Sequence, residues 1–271
     1  MYKHISNDSI ASVISTVKFF PPAYFEEYVK NFTRNGESEN MDERQTPLIF
    51  ITKVEYLDNF YDTVVTSLDR KFVLITHYGD MQSGLHQRIL QHPLLLKWYG
   101  QNMCLLSDKT MPIPIGLESK YWGRTNTSTI DKHYRNPKNE LLYLNFSLGT
   151  NPDRPRIMNS LLDKGFKQNE ALEWERYIED LSKHKFCISP KGNGVDCHRT
   201  WECLYLGVIP IVEKSPHMAY FDDLPILFVE NYDSITIEYL NRMYDLFKSR
   251  SFNMDKLDIS YWNREIRGCF E

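Results

Sequence analysis

Residues 185–212, KFCISPKGNGVDCHRTWECLYLGVIPIV, constrain this chain more than any other stretch. The segment reads as a buried strand over 186–189, a glycine-rich loop over 190–194, a helix over 196–206 and a second buried strand over 208–212. A unit of this kind belongs in a parallel sheet with crossover helices. Its loop supplies backbone N–H groups and its helix N-terminus a partial positive charge, so an anionic ligand such as a phosphate is favoured there. Lys191, His198 and Arg199 add side-chain cations at the same end. Packing alone gives no reason for that cluster.

The chain has 271 residues, enough for two α/β units of roughly 130 residues each. With 42% hydrophobic and 25% charged residues it is a globular composition, and the formal net charge of −4 argues against general nucleic-acid binding. The five cysteines (Cys104, Cys187, Cys197, Cys203 and Cys269) are odd in number and lack a framework spacing, which reads as reduced thiols. No window approaches an uninterrupted membrane span, and the N-terminus lacks a charged–apolar–small signal pattern. A soluble, cytoplasmic protein is therefore expected.

Along the chain, 31–46 is a polar surface loop, and 47–52 is an apolar run followed by a helix-like segment through 68. Residues 71–76 (KFVLIT) form a buried strand that ends at the turn-like His77-Tyr78-Gly79-Asp80. A helix interrupted at Pro93 is expected over 84–100, with short strands over 103–106 and 111–115. The polar stretch 122–139 reads as a linker. A fresh series then starts with a strand over 141–146, helices over 153–164 and 174–183, the segment described above, a strand over 225–230 and a helix over 237–248. The expected division is an N-terminal domain over 1–135, a second over 136–250, and a terminal segment over 251–271 that packs back on the first domain.

On the helix that follows the glycine loop, His198, Glu202 and Tyr205 lie at i, i+4 and i+7 and share a face, with Arg199 close to it. That combination suits a nucleoside diphosphate: the cations meet phosphate oxygens while the carboxylate accepts the ribose hydroxyls. Asp196 is expected as the helix N-cap. Cys197, His198 and Cys203 lack a fourth zinc ligand at suitable spacing.

The stretch from Phe186 to Val212 resembles the exostosin-like glycosyltransferase signature, in which a strand ending in Pro-x-Gly leads to a helix carrying Arg and Glu and then to Gly-x-Ile-Pro-Ile/Val. The likeness extends over residues 140–232 and, more faintly, through LITHYGD, WYGQN and PIPIGLE over 71–122. It implies an α/β protein of GT-B type, with two Rossmann-like domains facing a central cleft. The second domain would hold a nucleotide sugar, with UDP the expected nucleotide, and the first would help to hold a glycan or glycoprotein acceptor. Carried over residue by residue, Glu202 would meet the ribose, with Ser147 and Pro190 beside the nucleoside. Arg199, Lys191, His198 and the backbone of Gly192, Asn193 and Gly194 would meet the diphosphate. Arg154 or Arg156, at the start of the helix after Ser147, would stabilise the departing group; each reads equally as a solvated arginine beside a proline.

An inverting transfer needs a base for the acceptor hydroxyl. Asp80 is the first choice, with His77 and Glu118 as alternatives, although Asp80 also reads as a turn cap. Trp98, Tyr99 and Trp122 are candidates for acceptor stacking. No Asp-x-Asp occurs in the chain, so no metal or other cofactor is expected, only the UDP-sugar as substrate. The family leaves the sugar open among xylose, glucuronic acid, galactose and N-acetylglucosamine. One competing reading is a non-catalytic nucleotide-sugar-binding module. Another is a hydrolase or phosphotransferase using His198, which the lack of Gly-Lys-Ser/Thr and Gly-x-Ser-x-Gly motifs counts against.

Overall fold

The computed structural model describes residues 17–19 (as backbone), 47–118 and 127–269. The expected loop over 31–46 and Trp122 lie outside these. The chain is α/β, with two parallel sheets whose strands follow sequence order in space. It divides between Ile115 and Gly116 and again between Leu257 and Asp258, so that the terminal residues join the first unit. The first boundary thus falls at 115/116 instead of 135/136, and 251–257 stay with the second unit. Tyr205 Oη donates to the Leu257 carbonyl (2.8 Å), and Lys256 Nζ reaches Tyr220 O (2.6 Å) and Asp223 Oδ1 (2.9 Å).

In the first unit the sheet order is β1 (Val17–Phe19), β2 (Leu48–Thr52), β3 (Phe72–Thr76), β4 (Leu95–Gly100) and β5 (Thr110–Pro112), every pair parallel. LIFIT and FVLIT are runs rich in β-branched and aromatic residues, apolar at every position but the last, the pattern of strands covered on both faces. Phe50, Phe72, Leu74 and Trp98 pack with Leu57 and Phe60 of helix α1 (Leu57–Thr63) and Ile89 of the short α2 (Gln87–Leu90). On the opposite side of β4, Tyr99 Oη donates to Glu265 O (3.0 Å) in a later helix, Ile259–Gly268, whose Trp262 and Ile266 are buried. That contact binds the chain terminus to this unit.

The single helix expected over 84–100 is two elements. Pro93 ends the helical turn, and the apolar run after it enters the sheet, since a short two-sided apolar run does not by its periodicity distinguish strand from helix. Residues 103–106 form no strand, only an isolated pairing of Ser83 with Met103.

In the second unit the order is β6 (Glu140–Tyr143), β7 (His184–Ile188), β8 (Ile209–Glu213) and β9 (Leu227–Val229). The stretch read as a linker contains a helix, α3 (Thr127–His133), whose Ile130 and His133 are buried three residues apart on one face. It packs against α5 (Trp174–Leu181) and α6 (His198–Leu206). Leu142, Phe186, Ile188, Ile211 and Val229 face α4 (Arg154–Asp163). Tyr143 faces the other way, edge-on to Tyr177 of α5 at 5.6 Å. After β8 come α7 (Pro216–Ala219), β9 and α8 (Ile237–Ser249), the last packing Leu240 and Tyr244 on the α4 side; α9 is the terminal helix Ile259–Gly268.

Helices therefore cover both faces of each sheet, compatible with Rossmann-like units. Neither sheet reverses its strand order among the described residues, so neither has the usual switch-point crevice. Ligand chemistry falls to the loops at the carboxyl edges. Among the described residues no helix is long and apolar enough to cross a membrane.

Candidate functional site

The glycine-rich loop between β7 and α6 is held from beneath by Arg154. Its Nε donates to Lys191 O (2.9 Å), Nη1 to Ser147 O (2.9 Å) and Nη2 to Pro190 O (2.8 Å). Arg154 is only 8% exposed, so these carbonyls have a buried guanidinium in place of water. Glycine lets the loop cross close to this group: a Cβ on Gly192 would sit 3.2 Å from Arg154 Nη2, tighter than most such contacts. Asn151 Nδ2 donates to Gly192 O (2.9 Å), and Gly192 N–H closes the turn on Gly194 O (2.9 Å). Cys197 Sγ donates to Pro190 O (3.5 Å); burial pushes its thiol up to about 11, so it remains a protonated donor. Asn193 stands exposed at the loop tip.

Arg154 was expected to meet a diphosphate, and here three of its donors are spent on the fold. Arg156, two residues on, points outward, where Nη1 meets Asp233 Oδ2 at 3.0 Å with both groups exposed. It does not join the loop. Lys191 Nζ lies 2.9 Å from Asp153 Oδ2 and 4.0 Å from Glu213 Oε2 at the ends of neighbouring elements. The hydrogen bond from Lys191 holds the Asp153 carboxyl below the usual range and raises the lysine.

The helix α6 begins one residue later than its expected cap. Cys197 occupies the N-cap position and makes no side-chain capping bond. Asp196 is instead a buried carboxylate that accepts from Trp201 Nε1 (2.8 Å) and pairs with His217 Nε2 (3.2 Å), its side chain and that of His217 both fully covered. The reason is long-range: α7 brings His217 to the Asp196 side chain, and a polar group covered there requires partners of its own. His198 Nδ1 donates to the Gly116 carbonyl (2.7 Å).

Deeper along α6, Arg199 lies over the rings of Tyr177 (5.2 Å) and Tyr143 (5.9 Å) and donates to the Asn145 carbonyl. Burial alone would lower Arg199, but Tyr177, Cys187 and Glu202 around it leave the guanidinium above its ordinary value. Glu202 is 6% exposed, accepting from Tyr177 Oη on Oε2 (2.7 Å) and from Trp174 Nε1 on Oε1 (3.2 Å). Trp174 and Tyr177, three residues apart on α5, were missed in the sequence, where they read only as part of the helix expected over 174–183.

The carboxyl edge of the first sheet carries the other expected residues. His77 is buried, and its Nε2 donates to Pro114 O (3.1 Å). Asp80 is exposed, and its carbonyl accepts from Asn102 Nδ2 (3.2 Å). Glu118 is half-buried and belongs to the second unit. Trp98 and Tyr99 are core residues with at most 1% exposed, so neither is a stacking platform; Trp98 Nε1 is spent on Thr76 Oγ1 (2.9 Å). Large aromatics on a strand buried on both faces fill the core before they reach a surface.

The structure thus gathers Ser147, Arg154, Pro190, Lys191 and Gly192 into one preformed loop ahead of an uncapped helix N-terminus, with His198 at its start. Such a mouth can receive an anion on backbone N–H groups. Among the described residues no cluster of His, Cys, Asp or Glu is arranged to hold a metal ion. No protein-family model and no curated protein matches the chain.

Proposed function

We propose that the protein is a glycosyltransferase of GT-B type, in which the second unit binds a UDP-sugar and the first serves a glycan hydroxyl acceptor. The observation that carries this reading is the rigid Pro190–Gly194 turn leading to the uncapped start of α6. In this reading the loop amides, Lys191 and His198 take the charge of the leaving diphosphate as the bond from the sugar C1 to phosphate oxygen breaks. Arg154 and Arg199 shape the site instead of touching phosphate. Glu202, locked by Trp174 and Tyr177, sets the floor on which the ribose rests. The Asp80 carboxylate takes the acceptor proton as the acceptor oxygen attacks C1, with inversion and without a metal.

The test is calorimetry with UDP and with UDP-xylose, UDP-glucose, UDP-galactose, UDP-glucuronic acid and UDP-N-acetylglucosamine, followed by turnover on the donor that binds. Gly192→Val, whose Cβ would press on Arg154 Nη2 at 3.2 Å, should weaken binding about tenfold or more. Asp80→Asn should bind UDP as the wild type does and transfer no sugar, and transfer should persist in excess chelator. Absence of binding by every UDP compound overturns the proposal. Binding without turnover on any acceptor leaves the non-catalytic module instead.

A further inference from the structure

We infer that the mouth of the second unit takes its diphosphate together with one proton, which settles on His198 Nε2 and makes that nitrogen the donor to a phosphate oxygen. The inference rests on the transferase reading for its ligand and adds to it a coupling between donor affinity and pH.

His198 is the first residue of α6 and half-buried, and its ring is fixed by one bond, from Nδ1 to the Gly116 carbonyl at 2.7 Å. A carbonyl only accepts, so Nδ1 carries the hydrogen, and in the neutral ring Nε2 is left with a lone pair. Among the described residues no protein group bonds to Nε2. Gly116 stands at φ +66°, a backbone open to glycine, so the acceptor that fixes the ring is set by the main chain. The neutral ring is therefore the wrong partner for a phosphate: the oxygen and Nε2 each offer a lone pair and neither offers a hydrogen. Exchanging the tautomer gives no escape, because a bare Nδ1 would then face the Gly116 carbonyl. A proton on Nε2 answers both sides, since the imidazolium donates to Gly116 O from Nδ1 and to the anion from Nε2.

The surrounding groups leave this proton to His198. Lys191 is paired with Asp153 and lies near Glu213, and the bond to Asp153 raises it, so it stays charged. Arg154 and Arg199 donate to carbonyls, and Glu202 accepts from α5. The other imidazole, His217, pairs with Asp196, and both side chains are fully covered, out of reach of an entering ligand. Burial pushes the Cys197 thiol up to about 11. Glu118, two residues beyond Gly116, is half-buried and acidic, so it cannot replace the donor. An anion that prefers the imidazolium draws a proton from solvent as it binds. The free ring loses its proton as pH rises through the imidazole range while the bound ring keeps it, so affinity falls with rising pH.

The probe is UDP-glucose or, where that does not bind, another of the UDP-sugars named above. Their diphosphate has no terminal ionisation, whereas the end phosphate of UDP itself titrates at about pH 6. The experiment is calorimetry on the full chain from about pH 6 to 8, in two buffers of different ionisation enthalpy, so that proton uptake is read apart from affinity. Towards the alkaline end affinity should fall by up to about tenfold per pH unit, with uptake approaching one proton. His198→Asn keeps a side-chain N–H for the Gly116 carbonyl and has no proton to gain, so slope and uptake should both vanish. Comparing the two also cancels Lys138, at the far end of α6, which burial lowers to about 8. Nitrogen NMR of the wild-type imidazoles, with His198 assigned by its loss in the variant, should show that ring gaining charge when the UDP-sugar is added. A slope or uptake that survives in His198→Asn, no uptake in the wild type, or a ring that gains no charge would each overturn the inference. If no UDP-sugar binds at any pH, the transferase reading falls, and the same NMR with sodium sulfate decides the rest. A His198 ring that gains charge with sulfate keeps a proton-coupled anion site without the transferase, and one that does not removes both.

Discussion

The two sheet edges both present a rigid loop, but they fasten it with different chemistry. Beneath the second sheet's loop lies a buried cation, Arg154, which donates to three carbonyls and reaches Cys197 Sγ at 4.0 Å. Beneath the first sheet's loop lies a neutral amide, Gln101, which answers one N–H and one C=O. The backbone explains the choice. Where Tyr78 turns left-handed, a donor and an acceptor come to the same side chain, and an amide satisfies both. Around Pro190 and Lys191 the loop turns its carbonyls inward, which a guanidinium satisfies. The cation can only donate, whereas the amide both donates and accepts.

The sharpest break in that contrast is Arg154→Met. It strips partners from three carbonyls in a covered site and should cost about 3 kcal/mol in urea denaturation. Arg156→Met removes only an exposed pair with Asp233 and should cost less than about 1 kcal/mol. Equal costs for the two variants would show that Arg154 is not the lock described here.

Glu202→Gln comes next. The amide oxygen can still accept from Trp174 Nε1, but the amide nitrogen then faces Tyr177 Oη, whose hydrogen loses its carboxylate acceptor, and the expected loss is about 2 kcal/mol. Adding Tyr177→Phe should recover part of that loss, because no phenol hydrogen is then left without an acceptor. Additive costs in the double variant, read by the same denaturation, would mean that the two groups do not act on one another.

The strands were legible because FVLIT and IPIV are too uniformly apolar to lie anywhere but inside a covered sheet. The glycine loop was legible for its composition, and its place between a strand and a helix followed. What stayed hidden was direction. Arg154 and Arg156 look alike in the chain, yet two residues on a helix differ by roughly 200° around the axis, so one is inside and the other in solvent. Asp196 had the position of a cap, and only the fold brings up His217, 21 residues away in sequence. Gln101 and Asn102 gave one usable sign, two amides straight after the apolar run of β4, but nothing local says which loop they hold. Trp98 and Tyr99 misled for the opposite reason: an aromatic suited to stacking is also the best filler of a core.

The mildest test asks whether the charged fastenings of the second unit titrate where the amide of the first cannot. Lys138 Nζ donates to Ser182 O (2.5 Å) and Leu206 O (2.8 Å), at the carboxyl ends of α5 and α6. Burial pushes Lys138 down to about 8, against about 10.4 in an unfolded chain. Between those values the unfolded chain binds more protons than the folded one, so this group makes stability rise with pH. Wild type should therefore gain on Lys138→Met between pH 8 and 9.5, by less than about 1 kcal/mol once solvent screening is allowed for. Comparing the pair cancels the cysteines and tyrosines, whose raised values act in the opposite direction at the same pH. The difference between wild type and Gln101→Met should stay flat over the same range, because an amide has no proton to lose. A slope in the Gln101 series, or none in the Lys138 series, would erase the distinction between a charged fastening and a neutral one.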